Sequence, residues 1–197
     1  MITTGRFTVL FVCRANICRS PLAERLTRHE LDDRLGPEAT AFVAASAGIH
    51  ALPAQPMHPY SDQVLRERRA DPSGFVSRQV DAALLLQADL VLTASRRHRS
   101  HCVALAPATL ARTFTIRQFG RLARAAVGLP ADADLDPVDR ARSLVVAAAA
   151  ARSRTQPVSA VHDDLADPVL RPVEDFRVCA AQISETVDTM LDLITKS

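Results

Sequence analysis

Apolar runs and helix-patterned polar stretches alternate along the chain. Phe7 to Val12 (FTVLFV) is a short continuous run rich in β-branched and aromatic residues, the pattern of a buried parallel strand. Ser20-Pro21-Leu22-Ala23-Glu24 reads as a helix start, with Ser20 as the cap and Pro21 at the first helical position. That helical face continues to about Leu35, and Gly36-Pro37 ends it. A second strand is predicted over roughly Ala41 to Ala45, a proline-rich loop over Gly48 to Pro59, and a short polar helix over Tyr60 to Ala70. Val80 to Gln87 predicts another helix, and Asp89 to Thr93 a buried strand. Ser95 then caps a basic helix from Arg96 to Leu105, and Thr113 to Ile116 is a short fourth strand. The clearest amphipathic pattern is the last, Val173 to Thr195, where Phe176, Ala180, Ile183, Val187, Met190 and Ile194 recur at alternating steps of four and three.

Strands alternating with helices predict a single α/β domain, doubly wound. A four-stranded parallel sheet carries helices on both faces, and its ligand sits beyond the carboxyl ends of the strands. The segment from about 117 to 160 departs from the alternation. It is Ala- and Arg-rich and helical, broken at Gly128-Leu129-Pro130 and at Asp136-Pro137.

Composition narrows the class. With 197 residues the length suits one domain, and 48% hydrophobic with 23% charged residues excludes a disordered chain, a collagen-like chain and a bare membrane anchor. The net charge of +2 is too small to argue for a nucleic-acid partner. No Trp, one Tyr and seven Phe require a largely aliphatic core. The N-terminal apolar run is too short for a signal peptide or a spanning helix, and Arg142 and Arg152 close the apolar stretch Leu144 to Ala151. The expected location is the cytoplasm, with no membrane partner. Four cysteines make no disulfide framework, so the close pair Cys13 and Cys18 invites a chemical reading.

The first strand runs straight into Cys13-Arg14-Ala15-Asn16-Ile17-Cys18-Arg19-Ser20, where a helix begins. A cradle of this length can point successive backbone N–H groups inward as a nest for an anion, and the helix N-terminus adds its own. Arg19 at the rim can reach two phosphate oxygens with its planar fork. Cys13 lies at the floor, where the same field favours a thiolate and a bound phosphorus is placed for attack by sulfur. The bland alternative is a small buried thiol at a strand end beside a solvated arginine.

These residues resemble the low-molecular-weight protein-tyrosine phosphatases, from Val9 through Cys13, Asn16-Ile17-Cys18-Arg19-Ser20-Pro21 and on to Ala23-Glu24. Ser46-Ala47-Gly48, Arg78-Gln79, Asp89-Leu90-Val91-Leu92 and Asp167-Pro168 are similar to further segments of that family, and 117–160 looks like an insertion. The resemblance implies a phosphomonoester hydrolase acting on protein phosphotyrosine through a phosphocysteine intermediate, with no metal and no cofactor. It implies Cys13 as nucleophile, Arg19 as phosphate ligand and Asp167 as acid and base in turn. The loop Arg14, Ala15, Asn16, Ile17, Cys18, Arg19 and Ser20 then binds phosphate; Asn16 holds its backbone, and Ser20 donates to the thiolate. A bacterial tyrosine kinase of polysaccharide export is the partner it suggests. Cys18 resembles the family's second loop cysteine, which can form a disulfide with the nucleophile; it is equally a packing thiol.

Three departures stand out. Val169 and the stretch His50-Ala51-Leu52 occupy positions where the family often has an aromatic wall, and Phe75 replaces a histidine that braces the loop. His50, His58 and Tyr60 are candidates for the missing walls, or else plain loop residues. Asp163 and Asp164 rival Asp167 as the acid. Cys102 and Cys179 read as core thiols. Arg96-Arg97-His98-Arg99 is either a nucleic-acid patch or a solvated helix face, and the latter is preferred; His98-x-x-His101 lacks partners for a metal site. A thioredoxin-type arsenate reductase and a phosphate-binding module without turnover are the competing functions.

Overall fold

Strands β1 (Phe7–Cys13), β2 (Phe42–Gly48), β3 (Leu90–Thr93) and β4 (Thr113–Thr115) form one parallel sheet in the order β2-β1-β3-β4. The structure is a computed structural model that describes residues 5–126 and 135–195. The expected break at Gly128-Leu129-Pro130 lies outside the described residues. Period-two alternation divides the strand side chains between two layers. Phe7, Val9, Phe11, Leu90, Leu92 and Phe114 enter one, while Leu10, Val12 and Val91 enter the other.

The first layer is thick. It takes α1 (Arg19–Leu35), α2 (Pro59–Glu67), α5 (Ile116–Ala125), α6 (Pro137–Ala151) and α8 (Val173–Thr195). The opposite layer is thin, with α3 (Ala82–Gln87) and α4 (Arg96–Leu105). A short α7 (Ala160–Asp163) leads toward Asp167. The doubly wound α/β expectation holds, and β1 carries the first loop out at the point where the strand order reverses, the usual ligand crevice of such sheets.

Two local expectations fail for tertiary reasons. Helix α1 begins at Arg19, with Cys18 in the cap position and no side-chain cap bond, so Ser20 is not the cap. Its hydroxyl is spent instead on Cys13, Asn16 and Ala47. Strand β2 runs on to Gly48, past the expected end at Ala45. Ala-Ser-Ala-Gly is poor strand sequence, but β1 pairs it in register throughout, from Phe7 opposite Phe42 to Cys13 opposite Gly48.

All six residues of the periodic stripe on α8 are buried, and α6 packs on α5 and α8. Phe176 is fully buried and stacks on His58 with ring centroids 4.7 Å apart, tying α8 to the loop before α2. Among the described residues no helix is long and apolar enough to cross a membrane. Phe176→Ala is expected to cost about 3–5 kcal/mol in chemical denaturation. A loss within the ~0.5 kcal/mol typical of surface changes would place the ring outside the core.

Candidate active site

Residues 14–18 leave β1 as an irregular loop between the sheet edge and the first turn of α1. Among the described residues, none of the five amides from Arg14 to Cys18 donates to a protein acceptor. The loop is fixed through its carbonyls instead. Ile49 N–H donates to Cys13 O (3.0 Å), His50 N–H to Arg14 O (2.8 Å) and His58 N–H to Ile17 O (2.8 Å). Fastening by carbonyls leaves the N–H groups for a ligand. That is the arrangement an anion nest needs.

Asn16 holds the turn at φ +56°, a left-handed value that Asn tolerates better than most residues. Its buried amide donates to Ser20 Oγ (2.9 Å) and to Ser46 Oγ (2.8 Å), and its Oδ1 accepts from Arg78 N–H (2.9 Å). Ser46 Oγ in turn donates to Glu24 Oε2 (2.5 Å). Burial pushes the Glu24 carboxyl above its ordinary range, and the Ser46 bond works against that. The loop is thus braced without a histidine at position 75. Phe75 packs on the thick-layer core, with the Arg25 guanidinium 5.8 Å from its ring centre.

Cys13 Sγ lies 2.9 Å from Ser20 Oγ. Because Asn16 already donates into that hydroxyl, the Ser20 proton is left for the sulfur or for the Ala47 carbonyl at 3.3 Å. Arg19 is only 5% exposed. Its Nη2 donates to Asp167 Oδ2 (2.6 Å), its Nη1 to Leu165 O (3.2 Å), and its buried Nε has no partner. The Asp167 side chain is 40% exposed. A cleft of about 630 Å³ flanks this pair, lined by Arg19, Arg117, Asp167, Cys179 and Gln182 but not by Cys13.

The rival carboxylates have other tasks. Asp163 is 1% exposed and held by Arg96 (2.7 Å) and Arg121 (3.1 Å); Asp164 Oδ1 accepts Arg96 N–H (2.8 Å) at the start of α4. With Leu165 N–H on Ala94 O (2.8 Å), these bonds fasten the segment ahead of Asp167 to the carboxyl end of β3. Only Asp167 of the three reaches Arg19. His58 and Tyr60 are engaged at the junction with Phe176, whereas the His50 ring faces His101 with centroids 6.0 Å apart. Exposed Leu52, Val169 and Leu170 stand on the flanking loops where aromatic walls were sought.

Sequence reasoning missed the bracing roles of Ser46 and Glu24, the close approach at Gly48, and His98. The Ser-Ala-Gly run at the end of β2 was the available signal for two of them. A Cβ on Gly48 would come within 2.7 Å of Arg14 O and 2.8 Å of Asn16 N, both backbone atoms of the loop. His98 is buried beside Ser95, its Nδ1 2.8 Å from Ser95 Oγ; burial, then the nearby Arg19 charge, pushes its pKa down to about 4. Cys18, Cys102 and Cys179 are free buried thiols, each pushed up to about 12 chiefly by burial. Among the described residues no group of three or more His, Cys, Asp or Glu could hold a metal ion.

A parallel α/β sheet whose first strand runs into a loop of unpaired amides, with a thiol at its floor and a buried arginine at its rim, is the arrangement of a candidate anion site. The family profile of low molecular weight phosphotyrosine protein phosphatase matches residues 8–144, and the chain belongs to that family. It is 36% identical over 99 residues to the low molecular weight protein-tyrosine-phosphatase Wzb of Escherichia coli K12, covering 50% of this chain and 62% of Wzb. The alignment thus spans less than two thirds of that relative. With Etp of the same strain it is 30% identical over 112 residues, 57% of this chain and 70% of Etp. The crystal structure of a low molecular weight protein tyrosine phosphatase from T. tengcongensis superposes with a TM-score of 0.67 at 26% identity, covering 94% of this chain and 98% of that one.

Two outcomes test the site's construction. Gly48→Ala is expected to cost about 1–3 kcal/mol of stability, since the clash is with backbone, and to weaken inorganic phosphate binding; unchanged binding would mean that the loop does not need this approach. His98 has a folded pKa of about 4 against an ordinary 6.5. The stability it contributes is therefore complete above pH 6.5 and lost as pH falls toward 4, by at most about 1.4 kcal/mol per pH unit. Urea unfolding at pH 7 and pH 5 should show that slope in the wild type and a shallower one in His98→Gln. Equal slopes would place the imidazole in water.

Proposed function

We propose that the protein is a protein-tyrosine phosphatase acting through a phosphocysteine on Cys13, in the cytoplasm, where a reducing environment keeps the thiol free. The observation that carries the reading is the donor set around Cys13: five loop amides and Arg19 Nε, none with a protein acceptor among the described residues. Those donors match the oxygens of a phosphoryl group. A single phosphatase-like domain with a helical insertion at about 117–160 is the organisation that goes with this reading. The packing of α5 and α6 into the layer of α8 supports it.

In this mechanism the phosphoryl oxygens take the loop amides and Arg19, drawing the guanidinium from Asp167. Ser20 donates to the Cys13 thiolate, which attacks phosphorus as the P–O bond to the phenol breaks. Asp167, released from Arg19, delivers its proton to the leaving phenolate. It then takes a proton from the water that displaces sulfur, releasing phosphate and restoring both the Cys13 thiolate and the protonated carboxyl. No step needs a metal or a cofactor. Leu52, Val169 and Leu170 offer aliphatic walls for the aryl ring. The substrate we propose is a phosphotyrosine protein, with a tyrosine kinase of polysaccharide export as the partner the resemblance implies.

An arsenate reductase would relay a disulfide through further thiols. Here Cys102 is buried in the thin layer, on the opposite side of the sheet from Cys18 and Cys179. Turnover of phosphotyrosine and p-nitrophenyl phosphate, with arsenate reduction run alongside, separates the readings. Cys13→Ser is expected to abolish turnover while keeping phosphate binding at the loop, and Arg19→Ala to lose both. Asp167→Asn should lower kcat on phosphotyrosine by about 10²–10⁴-fold and less on the activated aryl ester. Asp164→Asn should be mild on both, whereas Asp163→Asn should lower thermal stability. Substantial activity in Cys13→Ser would overturn the covalent route, and a flat leaving-group dependence of Asp167→Asn would overturn the assignment of the acid.

A further inference from the structure

Arg96, Arg99, Arg121 and Arg152 line a cleft of about 420 Å³ between α4, α5 and the chain just after α6. It shares no lining residue with the Cys13 loop. Its single carboxylate, Asp163, is already neutralised by Arg96 and Arg121. Arg99 and Arg152 join no ion pair among the described residues, yet they are held together. Arg99 Nε donates to Thr113 O (2.8 Å), and Arg152 Nη2 donates to the same oxygen (2.6 Å).

Two guanidinium groups on one carbonyl repel each other, and partial burial strengthens the repulsion. Arg152 is pushed down to about 10 by burial, then by the Arg99 charge, and burial lowers Arg99 as well. Other contacts hold the pair in place. The Arg152 guanidinium lies 3.8 Å from the Phe114 ring centre, and its Nη1 donates to Leu110 O (3.1 Å). The terminal nitrogens of Arg99 and the buried Arg152 Nε have no protein acceptor among the described residues. Gln118 Oε1 beside them is likewise unpartnered, and an amide can turn either end to a ligand. Fixed, uncompensated arginines in a concave site are the usual means of holding phosphate.

We propose that this cleft is a second anion site, taking a phosphate dianion, free or as the phosphoryl group of a small organic ester, between Arg99 and Arg152. The proposal stands on the cleft alone and does not require the phosphatase reading. Isothermal titration with inorganic phosphate tests it by stoichiometry. The wild type is expected to bind two phosphates per chain and Arg99→Gln one, with Arg99→Gln keeping the kcat of the wild type on p-nitrophenyl phosphate. Arg99→Lys, which retains the charge, should regain the second phosphate at lower affinity.

Arg19→Ala isolates the cleft: it should bind one phosphate, and Arg19→Ala with Arg99→Gln none. Phenyl phosphate titrated against Arg19→Ala distinguishes the sources, since tighter binding than phosphate means an organic ester and equal binding means the free ion. One phosphate in the wild type with an unchanged count in Arg99→Gln would overturn the second site, and that comparison holds even if Arg19→Ala does not fold. A null titration of folded Arg19→Ala would overturn it equally.

Discussion

Asn16 adopts a left-handed backbone that costs an ordinary residue roughly 1–2 kcal/mol, and it does so fully buried. The turn survives because the side-chain amide meets three partners from three parts of the chain: Ser20 on α1, Ser46 on β2, and the backbone of Arg78. A buried amide that lost these bonds would leave each freed group unsatisfied at a cost of about 1–3 kcal/mol. The network is therefore close to all-or-none. It sets where the loop amides point, and it orients the Ser20 hydroxyl that faces Cys13. It also makes clear why β2 must extend to Gly48, since Ser46 has to reach Asn16 and only a glycine admits the loop backbone against the strand end.

A second constraint is electrostatic and belongs to the segment after α7. Two carboxylates four residues apart meet opposite environments. Asp163 is buried between two guanidinium groups that α4 and α5 hold out, and removing either partner would strand a charge. Asp167 is half in water and pairs with a single arginine of the loop. The first anchors the segment; the second is free to exchange partners. Through Arg121 of α5, and through Arg117 donating to Val161 O (2.9 Å), helix α5 becomes part of the support for the loop mouth.

What was legible in the sequence was what is local. The strand-loop-helix run around Cys13, the cap at Ser95 and the stripe of α8 each depend on neighbours within one or two turns. The failures are where distant residues decide. Ser20 has good cap chemistry, but its hydroxyl goes to Cys13 and Asn16, so the helix starts two residues earlier, at Arg19, with no side-chain cap bond. Glu24 looks like a first-turn charge and is in fact a partly buried acceptor for Ser46, 22 residues away. Arg96-Arg97-His98-Arg99 looks like one basic face, yet the helical rotation of about 100° per residue sends each side chain elsewhere. Arg96 goes to Asp163, Arg97 to solvent, His98 inward against Ser95 and Arg99 into the cleft with Arg152.

The four cysteines, all free and buried, stand in two kinds of environment. Cys18, Cys102 and Cys179 are surrounded mainly by apolar side chains, and burial opposes their ionisation. Cys13 is as buried as they are, so low exposure is not what separates it. It differs in standing at a strand end, with a serine hydroxyl at 2.9 Å and a loop whose amides have no other task. In the proposed reaction these dipoles are already in place and need no reorganisation as charge moves from sulfur to phosphorus. The sequence marks this cysteine only by the run from Arg14 to Ser20, but its polar surroundings come from Ser46, Gly48 and Arg78 as much as from the loop.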